Sequence, residues 1–149
     1  MQAYVHRQRS RWMIAFGLAI LAALFVRSAF IGPVSFAAMA LLLLVVAITL
    51  IFSVLSTRVD ANGVSWAFTL GSPGGTVPLA DIADVQITTT NFWEGFGIHW
   101  TLWHGWLWNV SGYGAVMIHK RSGAVVTIGT DDPQGFYVAI VGLRSGAQA

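Results

Sequence analysis

Two long apolar runs constrain this chain more than any other feature. Residues 12–31 are twenty positions with one charge, Arg27, and residues 34–55 are twenty-two positions with none. Only Gly32 and Pro33 separate them. As helices rising ~1.5 Å per residue they would reach roughly 30 and 33 Å, the thickness of a bilayer's hydrocarbon core. Both are apolar all round, which suits spanning a membrane better than lying on it. So short a connection predicts a tight hairpin of two transmembrane helices over residues 12–56. Gly17, Ala19, Ala22, Ala23, Ala37, Ala38 and Ala40 offer positions for close helix approach.

Composition supports this. Charged residues make up 9% of the chain, against about 25% in ordinary soluble domains. A soluble globular protein, a disordered chain and a nucleic-acid-coating protein are excluded on that ground. The net charge of +2 divides unevenly. Arg7, Arg9, Arg11, Arg27 and Arg58 face no acid in residues 1–58, whereas the rest of the chain is net acidic. The basic residues therefore flank the apolar runs and form no phosphate-neutralising cluster, so no nucleic acid is expected. Four arginines stand outside the hairpin and Arg27 near its tip, which predicts a bacterial inner (plasma) membrane protein, multi-pass, with both termini cytoplasmic. Arg27 is read as an anchor snorkelling to the headgroups. A cleaved signal peptide competes for the first run, but Arg27 interrupts the one small-residue site, Val26, Ser28 and Ala29. The chain has no cysteine, hence no disulfide or thiolate site.

Beyond Arg58 the pattern changes to short strands. Asn62-Gly63 between Val59-Asp60 and Val64-Ser65-Trp66 signals a hairpin. Gly71-Ser72-Pro73-Gly74-Gly75 breaks the chain, residues 76–79 suit an edge strand, and residues 82–89 form a strand. Residues 115–119 and 125–129 flank the turn Arg121-Ser122-Gly123. Asp131-Asp132-Pro133 then caps a helix with Phe136, Ile140 and Leu143 on one face. Domains follow: a basic N-terminal segment 1–11, the hairpin 12–56, a β domain 57–144 and a tail 145–149.

Three stretches of this β domain resemble the bacterial pleckstrin-homology-like membrane proteins. They are residues 59–68, Leu79-Ala80-Asp81-Ile82-Ala83-Asp84-Val85, and a series of blocks. The blocks run from Gly95-Phe96-Gly97-Ile98 through Trp108-Asn109-Val110-Ser111-Gly112 and Ala115-Val116 to Ile128-Gly129-Thr130-Asp131-Asp132-Pro133. The resemblance implies a mainly-β, partly open barrel of seven strands (an α+β domain) capped by a C-terminal helix. It implies an interaction module, with no catalytic activity. The first hairpin turn, Ala61-Asn62-Gly63, lacks the basic residues with which eukaryotic relatives hold inositol phosphates, so that ligand does not carry over.

Residues 91–113 hold five of the seven tryptophans. Trp106 and Trp108 alternate on one strand face and are expected in the core. Trp93, Phe96, Trp100 and Trp103 lie among glycines and are expected at a partner or membrane contact. His99, His104 and His119 lack the spacing of a metal set, so no metal or cofactor is expected. Asp131-Asp132 is better read as a cap than as an acid/base pair, and no catalytic residue is assigned. The expected function is a membrane-tethered interaction module, an adaptor or accessory subunit holding a protein partner at the bilayer. The alternatives are a lipid-headgroup sensor, a metal-dependent or hydrolytic enzyme using His99, His104 and Asp131, and a structural homo-oligomer.

Overall fold

The computed structural model describes residues 4–94 and 97–146, with the backbone alone at Phe92. Sequence alternation sets the first sheet. Strands β1 (Tyr4–Arg9), β2 (Val54–Asp60), β3 (Gly63–Phe68) and β4 (Gly74–Pro78) lie side by side in that order, all antiparallel. Leu55, Val59, Val64, Trp66, Phe68 and Val77 point inward and are buried, while Arg7, Arg58, Ser65 and Thr76 face out. The β2–β3 turn is Ala61-Asn62, with the Asn62 N–H donating to Asp60 Oδ1 at 2.9 Å. Gly63 follows at φ +139°, where a Cβ would strike the Val77 carbonyl. Gly75 is similarly required: a side chain there would occupy the space of the Trp66 ring.

The apolar runs form α1 (Arg11–Phe30) and α2 (Phe36–Ile51), inserted between β1 and β2. The Ser10 N–H donates to the Ser53 carbonyl at 2.8 Å, so the β1–β2 pair continues straight into the helix pair. Two expectations are corrected here. The N-terminal segment 1–11 is no mere basic flank, because Tyr4–Arg9 is a strand of the β domain. The second run does not stay helical to Leu55. Its helix stops at Ile51, where Ser53 Oγ donates back to the Leu50 carbonyl and Thr69 N–H donates to the Ile51 carbonyl. Val54 and Leu55 then enter β2, since burying Leu55 beside Phe68 and Phe52 recruits them into the core. α1 is long and apolar enough to cross a membrane; α2 spans only about 24 Å. The helices bury one seam, Gly17 and Leu24 against Val46 and Thr49, and leave Phe16, Phe25, Phe36, Leu41 and Leu44 exposed. Of the small residues expected at the seam, Gly17 is the buried one, its α-carbon side against Thr49.

The second sheet has the order β5 (Ile82–Thr89), β8 (Gly114–Lys120), β9 (Val125–Gly129), β7 (Gly105–Asn109) and β6 (Gly97–Thr101). All its pairs are antiparallel except β7 with β9. Nine strands thus form among the described residues where seven were expected; the additions are β1 and β6. The sheets enclose a core of Val85, Val116, Ile118, Val126 and Ile128 against the inward residues of the first sheet. Helix α3 (Pro133–Gly146) packs on β5, β8, β2 and β1, burying Phe136 and Ile140. Its cap is Asp132, whose Oδ1 accepts the Gly135 N–H at 2.9 Å. Asp132 Oδ2 also accepts the Tyr4 hydroxyl, at 3.1 Å, and Asp131 lies 2.5 Å from His6 Nε2. Burial, then the hydrogen bond and charge of Asp132, push the Tyr4 phenol above its ordinary pKa. Gln8 closes the same seam by donating to the Ser111 carbonyl at 2.6 Å.

Candidate functional site

The Trp-rich segment builds the β6–β7 hairpin. Trp100 stands opposite Trp106 and Ile98 opposite Trp108, so these four share one face. The connection Leu102-Trp103-His104 is held by the His104 N–H donating to Thr101 Oγ1 at 2.9 Å. Gly105, at φ +62°, then passes so close to β9 that a Cβ would meet the Val125 carbonyl.

Burial along the shared face falls off with distance from the first sheet. Trp108 packs edge-on against Trp66, ring centroids 5.6 Å apart, and stacks near Phe68 at 6.1 Å. One rung out, Trp106 is 52% exposed and Trp100 59%. The expectation that Trp106 shares the core with Trp108 is therefore corrected. Trp106 stands at the open margin between the two sheets rather than in the core. Beside it a cleft of about 320 Å³ opens between β4 and the hairpin, lined by Trp66, Gly75, Ile98, Trp106, Trp108 and Lys120. At the hairpin tip Leu102 and Trp103 are each 82% exposed, and Trp93 is 91% exposed. A lone leucine in a loop carries no periodic signal, so Leu102 is a contact residue that the sequence pattern does not mark. Phe96, expected in the same contact, lies outside the described residues.

Trp93 is carried on a stiff turn. Asn91 Oδ1 accepts the N–H groups of Trp93 and Glu94, and Glu94 Oε2 accepts the Asn91 N–H, a reciprocal capping box. Glu94 Oε1 also lies 2.5 Å from His104 Nδ1, with both side chains mostly buried. His104 Nε2 meets Thr88 Oγ1 at 3.4 Å, and its carbonyl accepts the Thr127 hydroxyl at 2.7 Å. One histidine thereby links the Trp93 turn, the Trp103 tip and strands β5 and β9. The Asn91-Phe92-Trp93-Glu94 spacing carried this signal in the sequence.

The histidines do not converge. His99 pairs across to Leu107, His104 is engaged by Glu94, and His119 sits on β8 opposite Val125. Among the described residues no group of three His, Cys, Asp or Glu side chains could hold a metal ion. Asp131 and Asp132 are engaged by His6, Tyr4 and the helix end.

The five arginines serve distinct places. Arg27 donates to the Gly32 carbonyl at 3.0 Å, closing the C-terminus of α1, and Arg11 opens that helix. Arg7 and Arg9 project from the outer face of β1, and Arg58 from β2 opposite Val5. Arg58 Nε donates to Asp60 Oδ2 at 2.8 Å. The Asn62 N–H, and after it Arg58, hold the Asp60 carboxyl below its ordinary pKa; Gln86 and the Val85 N–H do the same for Asp84. No family model, curated protein or solved structure matches this chain.

Proposed function

We propose that this protein is a membrane-tethered, pleckstrin-homology-like interaction module, an adaptor or accessory subunit that grips a protein partner through Trp93, Trp100, Leu102 and Trp103. The observation that carries this reading is the exposure of these four large apolar side chains on the β6–β7 hairpin and the turn before it, which the Glu94–His104 pair braces together. Soluble surfaces seldom expose apolar clusters of this kind unless a partner covers them. Aromatic anchors held in place lose little conformational freedom on binding, which suits a recognition surface. Tethering rests on the helix pair, whose apolar flanks are uncovered on nearly all sides. α2 is short for a bilayer, a mismatch that local thinning and the flanking Val34 and Phe52 accommodate. In this arrangement the β domain and Tyr4–Arg9 share the cytoplasmic side, where four arginines gather. Confinement to the membrane plane raises the module's effective concentration against partners there.

A photo-crosslinking residue at position 103, activated in native membranes, tests this. The expected product is one discrete protein adduct that disappears when Trp100 and Leu102 are both replaced by Ser. Adducts to lipid alone, or to a second copy of the same chain, would overturn the adaptor reading.

A further inference from the structure

The two sheets do not close on each other. β4 ends the first and β6 ends the second, and among the described residues neither edge carries a further strand. The cleft of about 320 Å³ beside Trp106 opens between them. Trp66, Gly75 and Thr76 wall one side, and Ile98, Trp106 and Trp108 the other. Gly75 has no side chain because the Trp66 ring lies over its α-carbon, so the ring itself forms the wall there. Small-ligand sites run from about 300 to 1,000 Å³, which matches this volume to a ligand of one or two rings.

The cleft offers donors and no carboxylate. Lys120 lines it, following buried Ile118 at the two-residue period of β8, which turns its stem toward the core side of the sheet. Among the described residues no carboxylate pairs with Lys120; the ion pairs belong to His6, Arg58 and His104. Trp66 is 5% exposed, and its indole N–H has no acceptor among the described residues. That nitrogen is bonded to Cε2, on the ring edge that lies over Gly75 and borders the cleft. A buried donor without an acceptor is costly, and a ligand oxygen relieves it.

We infer that this cleft is a binding site for a small aromatic carboxylic acid, free in solution, with its ring against Trp106 and Trp108 and its carboxylate on Lys120. The Trp66 N–H is the second donor on offer. Walls of indole rings favour a flat aromatic body, which they meet edge-on or in offset stacks. An ammonium with no carboxylate of its own, beside an apolar cleft, selects an anion. The site goes beyond the proposed function and rests on neither the membrane tether nor the protein partner.

The test uses the full chain in detergent, with para-fluorophenylacetate as the probe and fluorine NMR as the readout. Saturable binding by wild type is expected. The amide of the probe keeps its shape without the charge and should bind about tenfold more weakly. Lys120→Gln should remove that difference by weakening the acid alone. Arg121→Gln removes a neighbouring charge that is tied to the Ala80 carbonyl and lines a different pocket, and should change nothing. Trp106→Ala takes away one wall and should weaken acid and amide alike, by about tenfold. Trp106 is half-exposed, and unchanged far-ultraviolet circular dichroism separates that loss from misfolding. Equal affinity for acid and amide, or wild-type affinity in Lys120→Gln, would overturn the site. Uptake that never saturates and is equal in Trp106→Ala would overturn it too, as partition into the micelle. A tripeptide ending in para-fluorophenylalanine sets the same ring beside a peptide carboxylate. Tighter binding of that tripeptide than of the free acid would overturn the small ligand in favour of a peptide end.

Discussion

The second sheet contains two hairpins built on one principle and finished differently. In β8–β9 the alternating residues Val116, Ile118, Val126 and Ile128 are all buried. In β6–β7 the alternating residues are larger and more apolar in area, yet only Trp108 and Ile98 pack against the core, and Trp100 and Trp106 stand out. The difference lies in what stands opposite. The residues of β8 and β9 join the core shared with the first sheet, whereas an open cleft lies between β4 and Trp106. Burial is thus a property of the facing layer rather than of the side chain, and uncovered tryptophans are available for binding.

The largest test of this contrast is a pair of truncations. Ile128→Ala should destabilise the β domain by about 2–5 kcal/mol, the range for emptying a packed core position. Trp106→Ala, although it removes more atoms, should cost less than Ile128→Ala. Thermal unfolding of the full chain in detergent, followed by near-ultraviolet circular dichroism, compares them directly. A Trp106 loss equal to that of Ile128 would break the comparison.

A middle-sized effect is expected at the brace. Glu94→Ala leaves His104 buried without its carboxylate and should cost about 1–3 kcal/mol. Proteolysis near residue 94 should rise with it, since the capping box at Asn91 is lost as well. Undiminished protease resistance would mean that the Trp93 turn is held by other contacts.

A smaller effect is expected where β1 meets the end of the second sheet. The Tyr4 phenol is held above its ordinary pKa, so the folded state binds its proton more tightly than the unfolded chain does. The resulting stabilisation is complete below about pH 10, the unfolded value, and is lost as the pH rises past it. Tyr4→Phe should remove that alkaline slope and cost about 1 kcal/mol at neutral pH through the lost hydrogen bond to Asp132. Denaturant midpoints at pH 8 and pH 11 measure both. The smallest change in stability belongs to Trp103→Ser, within about 0.5 kcal/mol, read from the same denaturant midpoints.

Local signals in the sequence reached far into this fold. The hairpin at Ala61-Asn62, one residue before the expected Asn62-Gly63, the Arg121-Ser122-Gly123 turn, strand β5, the Asp132 cap and the Phe136–Ile140 face all follow from neighbours a few residues apart, where turn geometry and periodicity act. The exposure of Trp93, Trp100 and Trp103 was legible too, from the glycines around them. Residues 4–9 were not legible as a strand, because their partner, β2, begins some forty residues later beyond two helices. The end of α2 was equally hidden: Phe52, Val54 and Leu55 are as apolar as the helix before them, and only the distant partners β1 and β3 draw Leu55 into a sheet. Nor could alternation separate Trp106 from Trp108. The sequence by itself determined which residues share a face, since that depends on backbone period alone. The tertiary structure decided which of those faces meets another layer, because cover comes from distant segments whose arrival no local pattern records.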